Sequence, residues 1–205
     1  AMAALLAKDK NGTVVAATLA WAVEDEVAVP AALLKPLLKS KDDASRLAAA
    51  ELLARQGDAS AVATLLPLAD QGRESQMRFL KAAAAAPSPD VLPRLKKYLA
   101  PETPEDLLIQ VYLAFAASKD ADLHARVESD LISTLAPRRA AATRAFGRLK
   151  GNLALPKLHG LLGDGNPTIR RLAAEALGEL AQAESVEHLE RAVRDAGLPY
   201  AVVGV

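Results

Sequence analysis

Cysteine is absent from the 205 residues, which excludes a disulfide framework, a thiolate nucleophile and any cysteine-ligated metal site. Aromatic residues are almost absent too, at 3% of the chain with one Trp, three Tyr and three Phe, so rings to stack on bases or a planar pigment are scarce. Charge of a single sign is missing: 25 basic residues meet 25 acidic ones. That balance argues against a nucleic-acid track, which depends on neutralising many phosphates. No apolar run reaches the roughly 20 residues that a membrane span needs. The opening Ala1-Met2-Ala3 carries no basic region followed by an apolar core and reads as a cloning remnant ahead of an excised fragment. There is no G-x-S-x-G elbow and no glycine-rich phosphate loop. A cytoplasmic, non-catalytic protein is the expectation.

What the chain does contain is alanine-rich helical periodicity within a hydrophobic fraction of 51%. Alanine favours helix and lets helices approach closely, which suits a stack better than one large globular core. The clearest stretch is Asn166 to Gly197, NPTIRRLAAEALGELAQAESVEHLERAVRDAG. Asn166 suits a helix cap and Pro167 the first turn, where a missing N–H costs nothing. Ile169, Leu172, Ala173, Ala176, Leu177 and Leu180 then form one apolar stripe. A second helix starts near Ser185, carries Val186, Leu189, Ala192 and Val193 on one face, and ends at Gly197. Neither helix buries enough alone to be stable in water, whereas stacked pairs share a continuous core.

This unit recurs about every thirty-one residues. Val193 corresponds to Leu162, Leu131, Leu99, Ala69 and Leu38, which gives six units near 13–41, 42–72, 73–103, 104–135, 136–165 and 166–197. The register predicts an all-α solenoid of about six helix pairs in a single domain over 1–205, with no strands. Helices are expected near 13–22, 31–40, 44–56, 61–70, 74–86, 90–99, 105–117, 121–133, 137–149, 154–162, 167–181 and 185–195. A short lead-in helix over residues 2–8 precedes them, and residues 198–205 open a truncated seventh unit. That last stretch lacks a polar outer face, so either further repeats follow, or a partner or second copy covers it end to end.

The pattern I-R-R-L-A-A-E-A-L-G-E-L followed by V-x-x-L-x-x-A-V-x-D resembles the short HEAT-like repeat named after phycobilisome lyases, an armadillo-like arrangement. Units five and six carry it best. The resemblance implies a right-handed superhelix whose second helices line a concave, protein-binding face. A minority of the wider family are enzymes: bilin lyases, an iron-dependent deoxyhypusine hydroxylase and alkylpurine DNA glycosylases. The hydroxylase would need repeated His-Glu pairs. Here His124, His159 and His188 hold three different repeat positions, which places them apart and gives no metal site. The glycosylase would need a basic, aromatic-lined groove. No cofactor is expected. The surviving alternative to a binding scaffold is a chromophore-lyase-like enzyme or enzyme subunit.

Several residues stand out along the way. Trp21, the only tryptophan, is read as covering the exposed end of the stack. Pro36 and Pro67 share one repeat position inside second helices, so either both helices kink alike or both begin later. Pro101–Asp106 is read as a long inter-repeat loop rather than a hinge or boundary. Arg144 and Arg148 make a basic strip one turn apart, read as a solvated face.

Two groups are singled out as sites. Arg46, Arg78, Arg139 and Arg170 share a flank position and are expected to bond backbone carbonyls or carboxylates between units, with Asp42 or Asp43, Glu74 and Asp164 as partners. The outward columns of the second helices read Lys35, Leu66, Lys96, Glu128, His159 and Glu190, then Pro36, Pro67, Lys97, Ser129, Gly160 and Arg191. Mixed charge fits a protein partner better than a nucleic-acid backbone. Lys35, Lys39, Lys96 and Lys97, with His159 and Arg191, are the expected partner-binding residues, the lysines for an acidic segment.

Overall fold

The computed structural model describes residues 12–196; the predicted lead-in helix, the end at Gly197 and the seventh unit lie outside them. Contacts divide the chain between Lys97 and Tyr98 into two compact units, just ahead of the Pro101–Asp106 connection. The described residues are mostly helical, without strands, and within each unit the helices pack on neighbouring helices in solenoid fashion.

In the N-terminal unit the first helices of the pairs are α1 (Gly12–Glu24), α3 (Asp43–Arg55) and α4 (Arg73–Ala85). Asp42 starts α3 as a side-chain cap, accepting from the Ser45 amide at 2.8 Å. The second members are less regular. The first is α2 (Ala31–Leu34) running into a 3-10 stretch, Lys35–Lys39. The next is wholly 3-10, Ala59–Asp70, capped by Asp58. The third is a 3-10 turn Pro89–Val91, α5 (Leu92–Leu95), and a 3-10 turn Lys96–Leu99 in which the division falls. The later start is met in part for Pro36, which lies in the first turn of the 3-10 stretch beginning at Lys35, and not for Pro67, which lies inside Ala59–Asp70. The helical stretches as a whole start where the period put them, and the chain meets each ring in 3-10 rather than α geometry. A proline removes one backbone donor and clashes with the carbonyl one α-turn back; tighter 3-10 winding changes which carbonyl lies there.

In the C-terminal unit the pairs are α6 (Glu105–Ala117) with α7 (Ala121–Ser129), α8 (Ala136–Lys150) with α9 (Leu155–Leu161), and α10 (Pro167–Leu180) with α11 (Val186–Ala196). Short 3-10 turns, Asp130–Ile132, Gly151–Ala154 and Ala183–Ser185, sit beside the second helices. Asn166 caps α10 by accepting from the Thr168 amide at 2.9 Å, with Pro167 in the first turn. Ala140, Ile169 and Leu172 form a core cluster between α8 and α10, flanked by Ile109 and Leu161. Tyr112, Phe115 and Phe146 are fully buried, and Tyr112 and Phe115 stack at a tilt, 5.8 Å between centroids. The Tyr112 hydroxyl donates to Asp130, which also accepts from Arg126 Nε; this supplies the polar partner a buried phenol needs. Burial, and then Asp130, push the Tyr112 phenol above its ordinary range, so it stays a neutral donor.

Candidate functional site

Helix ends leave carbonyls without intrahelical partners, and the flank arginines address them. Arg46 Nη1 donates to the Ser40 carbonyl (2.8 Å), Arg139 Nη1 to that of Ser133 (2.5 Å) and Arg170 Nη1 to that of Asp164 (2.8 Å). In each case the acceptor lies six residues back, where the preceding second helix has ended. Arg139 also grips Asp164 of the next turn through Nε (2.9 Å) and Nη2 (3.3 Å). Arg46 reaches only Asp43, at 2.6 Å. Arg78 departs from the pattern: it pairs with Glu51 on α3, a carboxylate 5% exposed that sequence proximity did not suggest. Burial works to raise the Asp164 carboxyl, but the Arg139 and Asn166 hydrogen bonds outweigh it and hold it below the usual range.

The strip read as solvated is engaged. Arg144 bonds Glu179 on α10 at 2.5 Å, and Arg148 approaches the same carboxylate at 3.8 Å. The Arg144 hydrogen bond keeps the Glu179 carboxyl below its ordinary value against the pull of burial. Lys150 and Lys157 converge on Glu128 at 3.0 and 2.7 Å. Trp21 is half-exposed on α1.

The predicted partner-binding lysines are all exposed. Lys35 makes a 3.5 Å ion pair with Asp58, whereas Lys39, Lys96 and Lys97 make none among the described residues. A groove of about 750 Å³ in this unit runs along the first helices instead, over Ala16, Ala20, Ala44 and Ala48 with Glu51 and Arg78 in its wall.

In the C-terminal unit His159 and Arg191 do meet, in a groove of about 460 Å³ shared with His188, Arg170, Asp164 and Asp195. The expectation that the histidines lie apart is corrected: His159 and His188 stack with centroids 3.9 Å apart and planes 11° from parallel. They sit two residues short of one repeat apart, on corresponding turns of adjacent second helices. An equal-position comparison misses that offset. His159 Nε2 also lies 3.0 Å from Ser185 Oγ. Burial, and then His188, push the His159 imidazole below its ordinary range, with Glu184 opposing. His124 is separate, 2.7 Å from the Ser118 carbonyl.

Among the described residues no group of three or more His, Asp or Glu is placed to hold a metal ion, and no helix is long and apolar enough to cross a membrane. Residues 134–201 match the family model of HEAT repeats, a stretch that begins with α8 and includes the whole of α10 and α11. Residues 134–201 are therefore HEAT-like repeats, and the helix pairs that precede them among the described residues are similar to these in plan.

Proposed function

We propose that the protein is a non-catalytic, cytoplasmic binding scaffold that takes an acidic segment of a partner protein on Lys35, Lys39, Lys96 and Lys97. HEAT repeats are typically interaction scaffolds, which supports the general reading. One contrast carries the specific one. In the N-terminal unit Arg46, Arg78 and Arg94 each have a carboxylate, on Asp43, Glu51 and Asp70, whereas Lys39, Lys96 and Lys97 have none among the described residues. Cations held by internal partners brace the fold, and cations left open are available to a partner.

Capture with the whole chain, followed by reversal of Lys35, Lys96 and Lys97 to glutamate, tests this. Affinity for the captured partner is expected to fall at least about tenfold at low salt, where exposed charges act most strongly. Unchanged affinity removes the lysine surface from consideration. An absorbance band from a pigment co-purifying with the native protein replaces the scaffold reading with the chromophore-lyase one.

A further inference from the structure

The groove at the joint of α9 and α11 gathers basic groups from three helices. His159 comes from α9, Arg170 from α10, and His188 and Arg191 from α11; Leu162 and Ala192 give it an apolar edge. Four carboxylates face it, and two of them are occupied. Asp164 is held by Arg139 and by the Asn166 amide at 2.8 Å. Glu187 pairs with Arg191 at 3.3 Å, and Glu184 acts on His159 electrostatically. Asp195 lines the groove without an ion pair among the described residues. Arg170 Nη1 is bound by carbonyl oxygens and Nε has no partner, so no carboxylate neutralises its charge by direct contact.

With both imidazoles neutral and Asp164 taken by Arg139, Arg170 and Arg191 stand against Asp195, Glu187 and Glu184, so the groove gains net positive charge only when the imidazoles are protonated. Histidine is the side chain that gains charge between about pH 8 and pH 5. Protonating this pair places two more positive charges face to face beside two guanidiniums, and an added anion relieves the repulsion that Asp195 and Glu184 offset only in part. A metal ion does not fit. Imidazole lone pairs lie in the ring planes, and rings stacked 3.9 Å apart send them out side by side, so one ion cannot sit on both.

We propose that this groove is a binding site for the carboxylates of an acidic peptide, held by Arg191 and the two imidazoles. It rests on the scaffold reading above and names a second anchor for the same class of partner. The free site resists protonation of His159, so anion and proton enter together and binding tightens as the medium acidifies.

The test follows the imidazole Cε1–Hε1 signals of the whole chain by NMR at low salt, titrating a hexa-aspartate peptide at about pH 7.5 and about pH 5.5. Inorganic phosphate is a parallel arm. The peptide is expected to move the His159 and His188 signals while His124, tied to the Ser118 carbonyl, stays put. Binding should be at least about threefold tighter at the lower pH, and Arg191→Gln should weaken it about threefold or more there. His188→Gln, a change at an exposed side chain, should abolish most of the pH dependence, with His159 remaining as reporter. The double variant Lys96→Glu, Lys97→Glu should leave the His159 and His188 response intact; that result holds even where the lysine surface itself fails its own test. Unmoved His159 and His188 signals, or equal affinity at the two pH values, overturn the proposal. Phosphate binding as tightly as the peptide overturns the peptide assignment.

Discussion

The two units solve the same packing problem with different materials. In the C-terminal unit the prolines at 137, 156 and 167 all fall in first turns, where the missing N–H would be unpaired anyway, and the second helices are largely α. In the N-terminal unit Pro36 opens a 3-10 stretch behind a one-turn α-helix and Pro67 lies inside one, so 3-10 winding carries both. The junctions differ too. Arg139 clamps Asp164 through two nitrogens while holding a carbonyl with the third, and Arg144 and Arg148 share Glu179. The N-terminal unit joins its pairs by single contacts, such as Gln56 Nε2 to the Val29 carbonyl at 2.7 Å and Arg78 to Glu51. The family match falls wholly within the C-terminal unit. The lesson is that regular second helices and multidentate junctions go with the consensus, and a pair can depart from it while its first helix stays intact.

The largest expected effect tests the packing side of that contrast. Leu177 on α10 is 1% exposed among regular helices, and Leu65 on the 3-10 stretch is fully buried. Truncating either to alanine should cost about 2–5 kcal/mol, with Leu177→Ala nearer the upper end because straight helices collapse less readily around a cavity. Denaturant unfolding combined with native-state hydrogen exchange in each unit measures both. A Leu177→Ala cost below about 1 kcal/mol would mean its stripe is not core.

The junctions come next. Arg139 and Asp164 are mostly buried, at 20% and 12% side-chain exposure, so Arg139→Leu should cost about 2 kcal/mol. At the same repeat position Arg46 faces a carboxylate 78% exposed, and Arg46→Leu should cost about 0–1 kcal/mol. Double-mutant cycles with Asp164→Asn and Asp43→Asn measure the coupling directly. Equal coupling at the two sites would erase the distinction between the units.

Acid should expose the same asymmetry on a smaller scale. Asp164 and Glu179 are held below their ordinary values of 3.8 and 4.5 in the folded chain. Their contribution is therefore complete above those values and disappears as pH falls through the lowered ones. Melting of the C-terminal unit, followed between about pH 5 and pH 3, should drop more steeply in the parent than in Asp164→Asn. Parallel slopes would show that the clamp carries no folding energy.

Much of this was written in the sequence. Taking α and 3-10 segments together, the apolar period located each described helical stretch to within about three residues, because burial on a stacked face is a local pattern that the chain repeats six times. Winding type was not legible: 3-10 and α segments bury similar stripes, and the proline rule offers a kink or a late start before it offers tighter turns. Arg78 shows a second limit. Its partner Glu51 comes from the preceding first helix, and only the packing of α4 on α3 brings them together. The His159–His188 stack shows a third, since adjacent second helices meet with a two-residue offset that the repeat register hides.

The smallest effect concerns how first helices end. Glu26, Gly57 and Ala181 hold one repeat position, and all three have positive φ, at 54°, 84° and 50°. Positive φ brings a side-chain Cβ against the backbone, at a cost of roughly 1–2 kcal/mol for non-glycine residues, while glycine pays about 0.5–1 kcal/mol in unfolded-state freedom. The second pair meets the requirement with glycine; the first and sixth carry strain there. Nothing lies within 4 Å of a Cβ built on Gly57, so Gly57→Ala probes backbone strain without a clash and should cost about 0.5–1 kcal/mol. Glu26→Gly and Ala181→Gly should stabilise by a similar amount, about 0.5–1 kcal/mol, because each residue ends its helix in the left-handed region that glycine favours. Ala181 is the cleaner probe, exposed and uncharged, whereas Glu26 also lines the groove along α1 and α3. If Ala181→Gly stabilises and Glu26→Gly does not, the glutamate carboxylate contributes enough there to offset the strain of its own backbone. If neither change raises the melting temperature, the left-handed ends of the first and sixth pairs are not the strained positions their angles imply.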